Sequence, residues 1–520
     1  MREMKGEVVE ASDSNRVYQG YPHYVYEVTA PAFSDEQRQL AKLLSSVILH
    51  QKSLRELSTS PLVPSDFISR FDERILHPVD QGDYLRLLPP VNVLETLVSE
   101  LTQALGANAR MFSAAIARHA IFSSVGYGEL SEPILNPSLE EIMVNGFDVP
   151  VFVFHRRYGM CKTNISFAPR GPLLDLINRI GRTVGKDFGP DSPLLDARLP
   201  DGSRANATFG EVSPRGPSLT IRKFSAKPIS VVDLMVSGTL TAEAAAFLWM
   251  CVEGLSVRPA NLIVSGGTGT GKTTLLNVLA AFIPGDARIV TIEDTRELDL
   301  GGRLNWVPLE TRPAIGATAG TDMDALLKNA LRMRPDRIIV GEVRGPEAQT
   351  LFAAMDTGHQ GILGTVHANS ARELLLRLKF APMNVPENSL PLLNLAVITA
   401  RFFNKREGMK RKVLQIAEIT RMEDKPLLSN LYECPNLFGV LSRSNVASHL
   451  IEEMATSASM SLNEFRAEMA TRQHILEWLK AHEVHGAEDV HSVIQHYYLD
   501  PQNVLDAIED KAPMPKKEPR

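Results

Sequence analysis

The sequence predicts an α/β chain: a largely parallel sheet covered on both faces in its second half, preceded by a mixed α/β domain and a helical leading segment. Three observations carry this. First, the apolar runs NLIVSG, RIVTIED, RIIVGEV and GILGTVHA alternate with helical segments TTLLNVLAAF, DMDALLKNALRM and PEAQTLFAAMDTG. Apolar runs with helices between them are what strands buried on both faces require. Second, the earlier runs EEIMVNG and VPVFVFHRRYG mix β-branched and aromatic residues with turn residues, as strands of a mixed domain do. Third, GGTGTGKTT stands between the first apolar run and its helix, in the strand–loop–helix context of a phosphate-binding loop.

In chain order, apolar residues recur at helical spacing from Ser34 to Leu57 and again from Val91 to Ile121, with a Pro- and Gly-bearing connector over Pro78 to Pro90. Residues 1–100 are expected to be a helical partner-docking or assembly segment without catalytic motif, and 101–227 a mixed α/β domain. Within that domain Leu173 to Val184 predicts a covering helix, LPDGSRANATFG a turn at Asp201 and Gly202 before a strand, and SLTIRKF another strand. Residues 228–238 are expected as a linker, and 239–520 as the sheet domain, opening on a helix from Leu240 to Leu255 and turning helical again after Ser444. The charged tail KAPMPKKEPR is expected to fray.

Composition narrows the function. At 520 residues the chain is long enough for two to four domains. A net charge of −6 supplies no overall basic excess for nucleic acid, so direct nucleic-acid contact is not expected. Cys161, Cys251 and Cys434 lack the spacing of a zinc or redox motif and suit a reducing cytoplasm. The N-terminus MREMKGEVVEASDSN has no apolar core and is not read as a signal peptide, and the Leu240 to Val257 stretch, broken by Glu243 and Glu253, is too short and charged to span a membrane.

The chemistry concentrates on one sheet edge. Gly266, Gly267, Thr268, Gly269, Thr270, Gly271, Lys272, Thr273 and Thr274 form the loop. Its glycines let backbone N–H groups turn toward phosphate oxygens at a helix start, Lys272 reaches the terminal phosphates, and Thr273 offers its hydroxyl to Mg2+. ATP and Mg2+ are the expected cofactors. Glu342 ends the strand RIIVGEV, where a carboxylate can orient water for in-line attack. Gly341 replaces the first acid of the usual strand-end pair, so metal binding at that position through water is implied. Glu293 and Asp294 follow another strand toward the same edge, as do His367 and, a little earlier, His359, either of which could sense a γ-phosphate.

The segments GGTGTGKTT, TIEDTREL, MRPDRIIVGEVRGPEA and TGHQGILGTVHANS resemble the Walker A motif, aspartate box, Walker B motif and histidine box of the type II/type IV secretion, pilus and archaellum ATPase superfamily, in the order found there. GYGELSEPILNPSLEEIMVNGFDVPVFVFHRRYGMCKTNISF, NWVPLETRPA and the pattern around RQHILEWLK and HYYLDPQNVL are most similar to its archaeal branch and to the archaellum motor ATPase. One departure is GGRLNW, where that family has another short segment. The four-cysteine metal module of bacterial type II members is missing. The resemblance implies a RecA-like P-loop NTPase domain, a homohexamer at the inner face of the cell membrane, a polytopic membrane platform protein and cytoplasmic motor accessory proteins. It implies Glu342 as the catalytic glutamate, Glu293 assisting at the metal or water, and metal contacts from Thr273, Glu293 and Glu342. Its phosphate-contacting arginines lie in segments matching Arg204 and Arg222, both on strand-like runs ahead of the linker.

Two other readings stay open on sequence. A DNA-transport ATPase would need a basic groove with aromatic residues; the dense run ARFFNKREGMKRK, with Arg401, Lys405, Arg406, Lys410, Arg411 and Lys412, reads instead as a solvated hairpin between two strands. An ATP-gated scaffold without turnover is opposed by the presence of Glu342.

Overall fold

A computed structural model of the chain describes residues 7–509 apart from 13, 21–22, 30–32, 49–61, 64–90, 107–111, 170, 225–227, 313–319, 405–407 and 424. The chain divides into two compact units, residues 1–225 and 226–520. The expected connector over Pro78 to Pro90, Lys227, the basic residues Lys405 and Arg406, and the charged tail lie outside the described residues.

The first unit is built on a nine-stranded sheet: β1 (Val8–Ala11), β2 (Asn15–Tyr18), β3 (Tyr24–Val28), β4 (Leu139–Asn145), β5 (Pro150–His155), β6 (Gly159–Ser166), β7 (Leu194–Arg198), β8 (Arg204–Thr208) and β9 (Ser218–Arg222), in the order β1-β2-β3-β6-β5-β4-β9-β8-β7. Residues 1–100 are thus not purely helical. The strands β1 to β3 are only four or five residues long, too short to give a clear periodicity, and β3 pairs in parallel with β6. Helices Asp35–Ile48, Val91–Leu105 and Ser113–Ser124 bury Leu40, Leu44, Leu101, Ile116 and Ile121 in one core with the inward sheet residues Ile142, Val153, Ala205 and Ile221. The expected helix over Leu173 to Val184 is Pro172–Thr183, and the expected turn joins β7 to β8, with Asp201 accepting the Ser203 N–H at 3.0 Å and Gly202 at φ +87°.

The second unit carries the expected sheet: β10 (Leu262–Gly266), β11 (Ile289–Glu293), β12 (Trp306–Glu310), β13 (Arg337–Val340), β14 (Leu363–Val366), β15 (Leu395–Asn404), β16 (Gly408–Met422), β17 (Lys425–Glu433) and β18 (Ser442–Arg443), ordered β12-β11-β13-β14-β10-β15-β16-β17-β18. The pairings from β12 to β15 are parallel, and those from β15 to β18 antiparallel. Every residue of β10 and β11 is buried, which is why these strands read as unbroken apolar runs. Leu262 and Val264 face a core with helices Ala242–Glu253, Lys272–Ala280 and Leu462–Ala481, whereas Ile263 faces another with Met323–Ala330, Glu347–Asp356 and Ala371–Lys379. The expected linker holds a short helix, Val231–Val236, whose start is fixed by a reciprocal cap between Ser230 and Asp233. Among the described residues, no helix is long and apolar enough to cross a membrane.

One buried ion cluster sets how the chain arrives at β10. Helix Ala242–Glu253 ends in Gly254, Leu255 and Ser256, all with positive φ. Two non-glycine residues in that region are uncommon and need outside support. Glu253 supplies it, accepting the N–H groups of Leu255 at 2.9 Å and Ser256 at 2.7 Å. Its carboxylate is in turn held by Arg472 at 3.1 Å, and Arg472 bonds Glu468 at 2.8 Å and lies over the Trp249 ring. Arg472→Ala would leave Glu253 buried without its cation, and the expected loss is about 3 to 5 kcal/mol from the second unit. The chain's three tryptophans, Trp249, Trp306 and Trp478, all lie in that unit, so urea unfolding followed by their fluorescence measures it. A loss below about 1 kcal/mol would show that the cluster does not hold this turn.

Candidate functional site

The phosphate loop leaves the carboxyl end of β10, between β14 and β15. Gly266 is demanded by proximity: a Cβ there would sit 2.5 Å from the Thr399 carbonyl oxygen on β15. Gly269 and Gly271 take positive φ, +69° and +90°, which turns the loop into the helix Lys272–Ala280. The loop is tied inward by Thr270, whose hydroxyl donates to the Gly267 carbonyl at 2.9 Å and lies 2.9 Å from that of Thr399. Ser265 anchors the strand end on the carbonyls of Val366 and Ala368, each at 2.9 Å. The buried Lys272 ammonium donates to the Gly267 carbonyl at 3.0 Å.

Three neighbouring strand ends deliver the other groups. Glu342 follows β13, and its carboxylate lies 3.1 Å from the His367 imidazole, which follows β14. His367 in turn approaches Lys272 at 3.4 Å. Partial burial, with the Lys272 charge beside it, holds the imidazole pKa below its ordinary value, so His367 is neutral at pH 7. Glu293 ends β11 and is buried; one carboxylate oxygen accepts the N–H groups of Glu297 and Leu298 at 2.9 and 3.0 Å, and the other is buried without a protein partner. Burial pushes its pKa up to about 7. The residue beside it is Gly341, where a Cβ would stand 2.8 Å from the Glu293 Cγ. A side chain at 341 would therefore collide with that of Glu293.

The sequence profile of the family described as Type II/IV secretion system protein matches residues 127–487. The chain belongs to this family. Two relatives come from Methanocaldococcus jannaschii, both named as uncharacterized: MJ0781, 52% identical over 239 residues covering 45% of this chain and 33% of that one, and MJ0900, 35% identical over 383 residues covering 72% and 68%. The chain thus spans about a third of the length of MJ0781. Among solved structures, the Legionella pneumophila ATPase DotB is 19% identical over 69% of this chain and 92% of its own, at a TM-score of 0.40.

The second unit of this secretion-family chain gathers Gly266 to Thr274, Glu293, Glu342 and His367 at one sheet edge. His359 is not among them. It precedes β14 rather than following it, so it lies at the amino edge, with its N–H on the Ala354 carbonyl at 3.0 Å. Asp294 is engaged by Arg344 and by the Thr311 hydroxyl at 3.1 Å. Arg204 and Arg222 belong to the first unit. They oppose one another across β8 and β9 in a register row that runs Glu141, Arg222, Arg204, Arg198, on the face away from the core residues Ala205 and Ile221. Arg204 forms a half-exposed two-bond pair with Asp196 at 2.8 and 3.0 Å.

Sequence reasoning passed over Thr399 and named Arg411 only as part of the basic run. The basic run was expected to be a solvated hairpin; β15 and β16 do form its arms, but Arg411 turns back, its Nε donating to the Gly269 carbonyl at 3.0 Å. The only signal for either residue is the placement of β15 beside β10, which no local motif carries.

The raised Glu293 pKa fixes the sign of a pH effect. Between about 4.5 and 7 the unfolded chain has lost this proton and the folded chain still holds it, so stability falls as pH rises through that window, by at most about 3 kcal/mol. Glu293→Gln can still accept both backbone N–H groups and removes the buried charge. With neither nucleotide nor metal added, it is expected to unfold at higher urea than the parent at pH 8 and at similar urea at pH 4.5. Parallel pH profiles for the two proteins would remove this account of Glu293.

Proposed function

We propose that this chain is a Mg2+-dependent ATPase acting as a homohexamer, which couples hydrolysis to assembly or rotation of an archaellum or a related type IV pilus-like filament. Its proposed seat is the cytoplasmic face of the membrane, on a polytopic platform protein and beside motor accessory proteins. The reading rests on one observation: Glu342 at a strand end, joined through His367 to the lysine of a complete phosphate loop. Family membership supports the secretion setting.

The residues fit the nucleotide and the metal. Gly266 to Thr274 would hold the phosphates, with backbone N–H groups and the helix start facing negative charge. Thr273, Glu293 and Glu342 would hold Mg2+, directly or through water; the buried, unpartnered oxygen of Glu293 is the kind of atom that such a ligand satisfies. Mg2+ bound there would spread the charge that develops on the phosphates. Lys272 exchanges the Gly267 carbonyl for phosphate oxygens. Glu342 orients the attacking water and accepts its proton, and neutral His367 is placed to trade its contact with Glu342 for one to the γ-phosphate.

Arg204 and Arg222 are proposed to supply positive charge as the transition state forms. The Asp196 partner of Arg204 does not prevent this, because a half-exposed pair is worth only about 0 to 1 kcal/mol and exchanges readily.

Lys272→Ala is expected to abolish nucleotide binding or turnover, and Glu342→Gln to keep binding while losing about 10²- to 10⁴-fold in phosphate release. Near-normal release by Glu342→Gln would sink the catalytic assignment, and no release by the parent would favour a scaffold. For the arginines, alanine variants are compared in assembled rings. Retained ATP affinity with turnover reduced by about 10³-fold or more is the expected result, and unchanged turnover in both removes the arginine mechanism.

A further inference from the structure

The strand arm β16 touches two places that the phosphate-binding chemistry does not by itself connect. At Arg411 its side chain lies along the lip of the phosphate loop: Nε donates to the Gly269 carbonyl at 3.0 Å, and a Cβ at Gly271 would meet the Arg411 Cδ at 3.4 Å. The backbone of the same residue faces the segment by which the chain enters the second unit. The Thr239 hydroxyl donates to the Arg411 carbonyl at 3.0 Å, and Val413 donates its N–H to the Thr239 carbonyl at 2.9 Å. Thr239 is in turn fixed to the capped helix Val231–Val236 through its own N–H, on the Leu234 carbonyl at 2.9 Å.

We propose that Arg411 is a positioning residue that sets the phosphate loop for nucleotide and couples its occupancy to the segment around Thr239. The inference rests on the reading of this loop as an ATP site and adds a regulator to it. The effect starts at the Gly269–Thr270 peptide. A guanidinium on its carbonyl polarises the peptide and makes the Thr270 N–H a stronger donor on the opposite side, where phosphate oxygens would sit. The same bond holds Gly269 in its left-handed conformation, so the loop does not have to be ordered when phosphate arrives. Because the Arg411 main chain carries the Thr239 contacts, a shift of the Thr239 segment moves the guanidinium relative to Gly269. By reciprocity, a nucleotide that tightens the loop biases where Thr239 rests.

Spatial intermediacy alone is not coupling, so the test is a double-mutant cycle on the full chain. Binding of MgATP and of a fluorescent ADP is measured for the parent, Arg411→Ala, Arg411→Lys, Thr239→Val and Arg411→Ala combined with Thr239→Val, with thermal unfolding as a check that each variant is folded. Arg411→Ala is expected to raise the Kd and KM for ATP about tenfold, as loss of one charge-assisted hydrogen bond does, with kcat changed far less. Arg411→Lys is expected to recover part of the affinity, since it keeps a cationic donor. Thr239→Val is expected to weaken binding about threefold in the parent and not at all in the Arg411→Ala background. Parental affinity in a folded Arg411→Ala protein, or a Thr239→Val effect of equal size in both backgrounds, overturns the proposal. If the parent itself binds neither nucleotide, it is the ATP-site reading that fails.

Discussion

The approach of β10 to β15 at Gly266 is the constraint on which the rest of the second unit depends. A backbone this close to the Thr399 carbonyl excludes any side chain, fixes the strand end from which the loop departs, and puts the Thr399 and Thr270 hydroxyls in contact. The parallel pairing of β10 with β14 on one side and β15 on the other then brings the groups that follow β13 and β14 to the same edge. Such an edge is where open α/β sheets place ligands. The buried Glu253 and Arg472 cluster serves the same end from the other terminus of β10, by holding a turn that two non-glycine residues would not adopt unaided.

Much of this was legible in the sequence, for a physical reason. Strands buried on both faces are predominantly apolar, and β10, β11, β13 and β14 therefore announce themselves. The phosphate loop is equally plain because its glycines answer a local demand of backbone geometry. What stayed hidden is non-local. The strands β1 to β3 are short, and the short helix after Ser230 sits where the sequence suggested only a linker. The histidines show the limit well: His359 and His367 stand eight positions apart, but β14 runs between them, so they end at opposite edges of the sheet. Spacing alone could not separate them; strand direction does.

At the site one acid packs where another is missing. Gly341 looked like a missing ligand, which suggested metal binding through water at that strand end. The Glu293 side chain lies against Gly341, so the loss of one carboxylate and the presence of the other are two sides of one packing arrangement. The position is buried, and its unpartnered oxygen makes it electrostatically unsettled until something positive arrives.

The register of the β15 and β16 hairpin places Arg401 directly opposite Arg411, with Lys410 and Lys412 beside them. Like charges facing one another across strands repel. Arg401 also reaches the loop, since a Cβ on Gly269 would stand 2.5 Å from its guanidinium. Arg401 and Arg411 thus bring two guanidinium groups to the lip of this loop. Salt screens such repulsion over a distance of about 10 Å at 0.1 M, so the cost of holding two guanidinium groups at one lip is set partly by the ionic strength of the surroundings.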